Sequence, residues 1–375
     1  MPRLLVATTV GATIRAFLLP LAHYYRGKGW QVDALASGVS GYEECRSAFD
    51  RVFDIGWSRN PADLSGILSG LRRARKLVAE GSYDIVHVHT PIAGFLVRAA
   101  LRKRNKSPKV VYTAHGFHFH SSGTACRNRM FLEIERLAGR WTDALITINS
   151  EDYEAAKKFH IVSEQNLRYV PGIGIDLDHY SREAVTKEEQ SHLQREILPD
   201  NPGCIFLQVG EFIPRKRHAD TLQAFSLLQG PATLLFAGSG PLQATMRNRA
   251  HSLGVASRVC FLGQRSDIPA LMQLSDVVIL PSAQEGLPRC VMEAMAMGKP
   301  VIGSNIRGTR DLLNNGRGML VPLGDVSALA AAMKILMDDP NAGMAFGHAG
   351  QQAIADYQVQ KVLLCHDEIY QGLLA

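Results

Sequence analysis

At 375 residues, 46% apolar and 20% charged, the chain is long enough for two domains and too apolar for a disordered or fibrous protein. Its six cysteines (Cys45, Cys126, Cys204, Cys260, Cys290, Cys365) are widely spaced, which argues against a disulfide framework or a metal staple and fits reduced thiols in a cytoplasm. The net charge of +6 is uneven: residues 1–175 hold 24 Lys and Arg against 15 Asp and Glu, a net +9, and residues 176–375 hold 17 against 20, a net −3.

The start, Arg3-Leu-Leu-Val-Ala-Thr, reads as a first strand, Leu4–Thr9. Arg15 interrupts any secretory leader, and no run approaches the ~18 apolar residues of a membrane span. Gly11 follows in Thr8-Thr-Val-Gly-Ala-Thr13, either as a plain turn or as one that brings backbone N–H groups to a phosphate or acceptor. Further strands are expected at Gln31–Ala36, Tyr83–His89, Lys109–His115, Asp143–Asn149 and Leu167–Pro171. Between them lie two basic stretches, Arg72-Arg-Ala-Arg-Lys76 and Arg98 through Lys109, the second after the apolar Ile92-Ala-Gly-Phe-Leu-Val. Such a stripe suits an anionic membrane surface or a lipid diphosphate, and equally a solvated helix face. Stacking aromatics are not interleaved with these charges, and no zinc-finger, helix-turn-helix or RNP pattern occurs, so a nucleic-acid partner is not expected.

Histidines crowd two strand ends, in Val86-His87-Val-His89 and Thr113-Ala-His115-Gly-Phe-His118-Phe-His120. A catalytic zinc needs about three protein ligands, commonly with an acid among them, and no matching downstream set follows. His115, beside Gly116, is better placed as a cleft residue bonding a sugar or an acceptor; His87, His89, His118 and His120 default to structural roles.

A break is expected over Pro171–Pro202, where Pro171-Gly-Ile-Gly-Ile-Asp176 leads into a polar stretch ending Leu198-Pro-Asp-Asn-Pro-Gly203. The strand and helix alternation then repeats, with strands at Cys204–Val209, Thr233–Gly238, Arg258–Leu262, Asp276–Leu280, Pro300–Gly303 and Met319–Val321 and a helix at Asp325–Met337. Two such sets predict an α/β protein of two doubly wound, mostly parallel domains, with ligands beyond the carboxyl ends of the strands.

Three turns in the second half carry chemistry. Val209-Gly-Glu-Phe-Ile-Pro-Arg-Lys-Arg-His218 puts Arg215 and Lys216 at a strand-to-helix turn, where a guanidinium fork and an ammonium suit a diphosphate. Ala237-Gly-Ser-Gly-Pro241 is a glycine turn that is weak evidence alone. Glu285-Gly-Leu-Pro-Arg-Cys-Val-Met-Glu293 follows the apolar Val277-Val-Ile-Leu-Pro-Ser282; Pro288 is expected in the first helical turn, Glu285 in the loop and Glu293 on the second turn. Both carboxylates then flank an electropositive helix start, suited to gripping sugar hydroxyls beside a phosphate. Asp267 and Asp276 read as local caps, and no Gly-x-Ser-x-Gly elbow supports a serine hydrolase.

Together these residues resemble the retaining glycosyltransferases of family 4, whose GT-B fold places two Rossmann-like domains facing each other across a cleft. The likeness spans nearly the whole chain and is most specific at Gly210 to Lys216, Gly238-Ser-Gly-Pro241, Leu280-Pro-Ser282 and Glu285 through Glu293. Tyr112-Thr-Ala-His-Gly-Phe-His118, Ile146-Thr-Ile-Asn149-Ser-Glu-Asp-Tyr153, Pro171-Gly-Ile-Gly-Ile-Asp176 and Ile306-Arg-Gly-Thr-Arg-Asp311 are similar to the branch that extends polyprenyl-diphosphate-linked sugars for surface polysaccharides. Two positions depart from many relatives: Glu211 stands where they carry a basic residue, and Gly11 stands alone where they pair glycines.

The resemblance implies an acceptor domain over residues 1–175, a nucleotide-sugar domain over 176–356, and a closing helix over 357–375 that crosses back to the first. It implies catalytic roles for His115, Arg215, Lys216 and Glu285, and donor contacts from Gly11, Gly210, Gly238, Gly240, Gly286, Leu287, Pro288 and Glu293. Glu293 would bond the ribose, Glu285 and the backbone after it would face the donor sugar, and Arg215 with Lys216 would neutralise the diphosphate. The expected reaction is retaining transfer from a UDP-sugar to a lipid-linked saccharide, with no cofactor and no required metal. The enzyme would be cytoplasmic and peripheral on the inner face of the plasma membrane, touching anionic lipid through the basic N-terminal domain. A UDP-sugar 2-epimerase of the same fold, a transferase acting on a soluble acceptor and an inactive scaffold are the alternatives; intact Lys216, Glu285 and Glu293 argue against the scaffold.

Overall fold

A computed structural model describes residues 1–57, 63–103, 108–120, 123–198 and 200–375. Residues 104–107 of the second basic stretch and Pro199 of the expected break lie outside the described residues. The chain forms two compact units: Met1–Gly174 together with Val359–Ala375, and Ile175–Gln358.

The first unit is built on seven strands: β1 (Arg3–Val10), β2 (Gln31–Ser37), β3 (Arg51–Asp54), β4 (Ile85–His89), β5 (Lys109–Ala114), β6 (Ala144–Thr147) and β7 (Leu167–Tyr169). They pair in parallel in the order β3-β2-β1-β4-β5-β6-β7, with Leu5 registered against Asp33 on one side and Val86 on the other. Both faces are apolar because successive side chains alternate across the sheet. Leu5 and Ala7 enter one core, with Val86, Val97 and Tyr112, and Leu4 and Val6 enter the other, with Tyr25, Trp30 and Val111.

The helix Val359–Leu374 completes this second core. Val362, Leu363, His366 and Tyr370 form its buried stripe at the three- and four-residue spacing of a helix face. Tyr370 stacks on Tyr25 at 5.0 Å and Trp30 at 6.0 Å, and Lys28 Nζ meets Asp367 at 2.7 Å.

The second unit has six parallel strands: β8 (Cys204–Val209), β9 (Ala232–Ala237), β10 (Val259–Gly263), β11 (Val277–Leu280), β12 (Val301–Ser304) and β13 (Met319–Val321), in the order β10-β9-β8-β11-β12-β13. Chain order reverses between β8 and β11, so their carboxyl ends open the crevice in which such sheets bind ligands. On one face of this sheet Phe206, Phe236, Ile279 and Ile302 pack against Leu329, Met333 and Leu336 of the helix Val326–Asp338.

Three features differ from the sequence reading. β3 is an added edge strand; only Val52 and Phe53 interrupt its charges, too short a pattern to register. The polar stretch before Gly203 contains the helix Lys187–Ile197, started by a capping box in which Thr186 Oγ1 accepts from Glu189 N–H and Glu189 accepts from Thr186 N–H. Arg98, counted in the basic stripe, is fully buried: its guanidinium meets Glu135 at 2.9 Å and lies 3.9 Å from the Tyr112 ring centroid, so it is a core residue.

Candidate functional site

The carboxyl ends of β8 and β11 bring the Arg215 turn and the Glu285 loop together. Pro214–Lys216 is a single 3₁₀ turn, and Ala283 N–H donates to the Arg215 carbonyl at 2.7 Å, tying it to the loop after β11. Lys216 Nζ donates to Glu285 Oε1 at 2.6 Å, and Arg215 reaches the same oxygen at 3.5 Å and the Gln284 carbonyl at 3.2 Å. Lys216 is fixed from behind, since Gln208 Nε2 donates to its carbonyl while Thr221 Oγ1 donates to Gln208 Oε1. Two cations thus meet one nearly buried carboxylate, a local positive excess suited to a phosphate-bearing ligand.

The helix Arg289–Ala296 begins one residue later than the sequence suggests. Pro288 (φ −73°, ψ 116°) is extended and sits just before the helix rather than inside its first turn. Glu285 lies in the loop and Glu293 on the second turn, and both are buried. Glu293 Oε1 accepts from Tyr180 Oη at 2.6 Å and from Arg289 Nε at 2.8 Å. Burial and the Glu293 charge push the Tyr180 phenol above its ordinary range, so it donates as a neutral hydroxyl. Between the two acids, burial raises the Cys290 thiol to about 12, which removes it as a nucleophile at neutral pH.

Glycines allow the turns to touch. A Cβ on Gly238 (φ +147°) would stand 2.0 Å from the Gly210 carbonyl oxygen, and one on Gly240 (φ +152°) 2.7 Å from Phe212 N. Leu287 is buried beside Gly286, whose carbonyl oxygen would be 2.0 Å from a Cβ on Gly308. The neighbouring Arg307, itself buried, donates from Nε to the Glu285 carbonyl at 3.3 Å.

Gly210, Arg215, Lys216, Gly238, Gly240, Glu285, Gly286, Leu287, Pro288 and Glu293 all lie on turns after β8, β9 and β11 or on the helix that follows β11. Tyr180 and Arg307 were not picked out as site residues. Arg307 lies in Ile306-Arg-Gly-Thr-Arg-Asp311, whose sequence does not announce a contact to the Glu285 loop, and Tyr180 is 113 residues from its partner, a contact with no local signal.

His115 and Gly11 belong to the first unit. Gly11 opens the helix Gly11–Phe17, where a Cβ would lie 2.6 Å from Val39 Cα; close packing explains it. His115 Nε2 is 3.0 Å from His89 Nδ1, and burial, with His366 adding, lowers its pKa to about 4. His87 bridges Tyr370 Oη at 2.5 Å and Thr113 Oγ1 at 2.7 Å. Among the described residues no three His, Cys, Asp or Glu side chains gather as metal ligands would.

Two Rossmann-like units with this turn chemistry are the architecture of the GT-B glycosyltransferases. Anabaena HepE in complex with UDP-glucose superposes with a TM-score of 0.83 at 19% identity, covering 99% of this chain and 100% of that one. Residues 16–179 match the model of glycosyltransferase family 4, and residues 190–353 that of the glycosyl transferases group 1. A putative glycosyltransferase of Bacillus subtilis, EpsD, is 31% identical over 377 residues, 99% of this chain and 97% of that protein. The UDP-Gal:α-D-GlcNAc-diphosphoundecaprenol α-1,3-galactosyltransferase of Escherichia coli is 32% identical over 272 residues, covering 70% and 69%. The chain belongs to the family 4 glycosyltransferases.

Proposed function

We propose that this glycosyltransferase moves a sugar from a UDP-sugar to a saccharide carried on a polyprenyl diphosphate, with retention at the anomeric carbon. The observation that carries the reading is the Lys216–Glu285 contact at 2.6 Å with Arg215 alongside, at the strand ends where the fold binds nucleotides. On donor binding, Arg215 and Lys216, held in place by Glu285, meet the diphosphate and stabilise the charge that develops on it as the glycosidic bond breaks, without a metal ion. Glu293, held by Tyr180 and Arg289, bonds the ribose hydroxyls, and Glu285 with the backbone of Gly286 to Pro288 faces the sugar. His115, neutral at pH 7, serves the sugar or the acceptor by hydrogen bonding.

The lipid-linked acceptor is supported by the name of the E. coli relative and by the basic first half of the chain. Arg72, Arg73, Arg75 and Lys76 lie exposed on the helix Leu64–Gly81 and suit an anionic bilayer at the inner face of the plasma membrane. No helix among the described residues is long and apolar enough to cross a membrane, so contact through this face would be peripheral.

The test incubates the enzyme with a panel of UDP-sugars and short polyprenyl-diphosphate saccharides. UDP release with a matching mass gain on the acceptor, and an unchanged anomeric configuration by NMR, is the expected result. Transfer only to soluble acceptors removes the lipid-linked reading, and sugar-nucleotide interconversion without acceptor removes the transferase mechanism.

A further inference from the structure

At the opposite edge of the second sheet, where β8, β11 and β12 begin, lies a cavity of about 480 Å³. Its polar side holds Arg182, Lys299 and Asp276. Lys299 Nζ donates to the carbonyls of Gln273 and Ser275, both at 2.9 Å, which leaves one ammonium hydrogen for another acceptor. Asp276 accepts from Ile205 N–H at 2.8 Å at the start of β8. Arg182 is exposed, rests over Gly298 and has no acidic partner among the described residues. The other side of the cavity is apolar: Leu336, Met337, Pro340 and Met344 line it, with Met344 55% exposed.

We propose that this cavity binds a small amphipathic monoanion, an aliphatic carboxylate whose head sits between Arg182 and Lys299 and whose chain lies on Met337, Pro340 and Met344. Two cations against one carboxylate leave a charge of +1, which a single negative charge neutralises, whereas a dianion over-compensates it. The apolar wall removes the chain from water, and unbranched methionines adapt to it. Without an anion the two cations repel across the cavity: burial and the Arg182 charge lower the Lys299 pKa to about 8. The site lies at the amino-terminal strand ends and shares no residue with the Lys216–Glu285 cluster, so its test stands apart from that of the transfer reaction.

The experiment is calorimetric titration of the intact enzyme with octanoate at pH 7, with inorganic phosphate and 1-octanol as controls. Octanoate is expected to bind one site, at least about tenfold more tightly than either control, and to weaken by about tenfold in Arg182→Gln. At pH 8 binding should take up protons, read from the dependence of the heat on buffer ionisation, because an anion beside Lys299 restores its charged form. Met344→Asp, a surface change, should weaken octanoate binding while UDP affinity stays at the wild-type value. No saturable octanoate binding up to about 10 mM, equal affinity in Arg182→Gln, or phosphate binding as tightly as octanoate would overturn the site.

Discussion

Glu285 is held by Lys216 and Arg215, and Glu293 by Tyr180 and Arg289, so each acid sits in a frame that fixes its rotamer before any ligand arrives. Such preorganisation suits positioning and electrostatic stabilisation better than proton shuttling. Lys216→Ala is expected to lower kcat by about 10²–10³, as loss of one preorganised donor to a developing negative charge does, with steady-state UDP release as the readout. Glu293→Ala should weaken UDP affinity by about tenfold or more, measured by calorimetry, if the proposed charged hydrogen bonds to the ribose are made. Gly308→Ala introduces a Cβ 2.0 Å from the Gly286 carbonyl at φ +74°. It should destabilise the protein by about 1–3 kcal/mol and shift the Glu285 loop, seen as a lower melting temperature together with loss of transfer.

Among the elements, the helix Val359–Leu374 packs a histidine against others at the ends of β4 and β5, which couples its docking to pH. Its His366 belongs to a cluster with the buried His87 and His89 and the half-buried His115, all depressed in pKa chiefly by removal from water. In the unfolded chain these imidazoles protonate as pH falls below about 6.5, while in the folded unit they stay neutral; the unfolded state then binds more protons and stability drops. Unfolding free energy should therefore fall steadily between pH 6.5 and about 4, the value for His115, by on the order of 3 kcal/mol from that residue alone. Trp30, stacked on Tyr370, offers a fluorescence signal for release of the helix, and a flat profile across that window would count against the coupling.

The same elements show what could be read from residues alone. Near-continuous apolar runs such as Cys204–Val209 and Met319–Val321 match the strands to the residue, because parallel strands covered on both faces leave little freedom in sequence. The Glu285 to Glu293 loop was also legible, being one continuous segment between a strand and a helix. Pairings across long separations left no trace: Tyr180 to Glu293, Arg98 to Glu135, and the closing of the loop by Arg307 all depend on which turns the sheet order brings side by side. β3 escaped because an edge strand needs only one apolar face and a few residues.

For the whole molecule, charge asymmetry sets how it would meet a membrane. Replacing Arg72, Arg73, Arg75 and Lys76 with Gln should reduce binding to vesicles containing anionic lipid by about 1 kcal/mol per residue at low ionic strength. Most of that difference should vanish near 1 M salt, and flotation assays at two salt concentrations read both effects.

The chain path has a consequence of another kind. The helix Val359–Leu374 covers a face of the first sheet, yet the entire second unit is translated between that sheet and its cover. As the nascent chain emerges, the surface of Tyr25 and Trp30 that Tyr370 covers remains open until the second unit has been made. The unit that starts first on the ribosome is therefore the one completed last, and its unfinished face is where a chaperone would be expected to hold it.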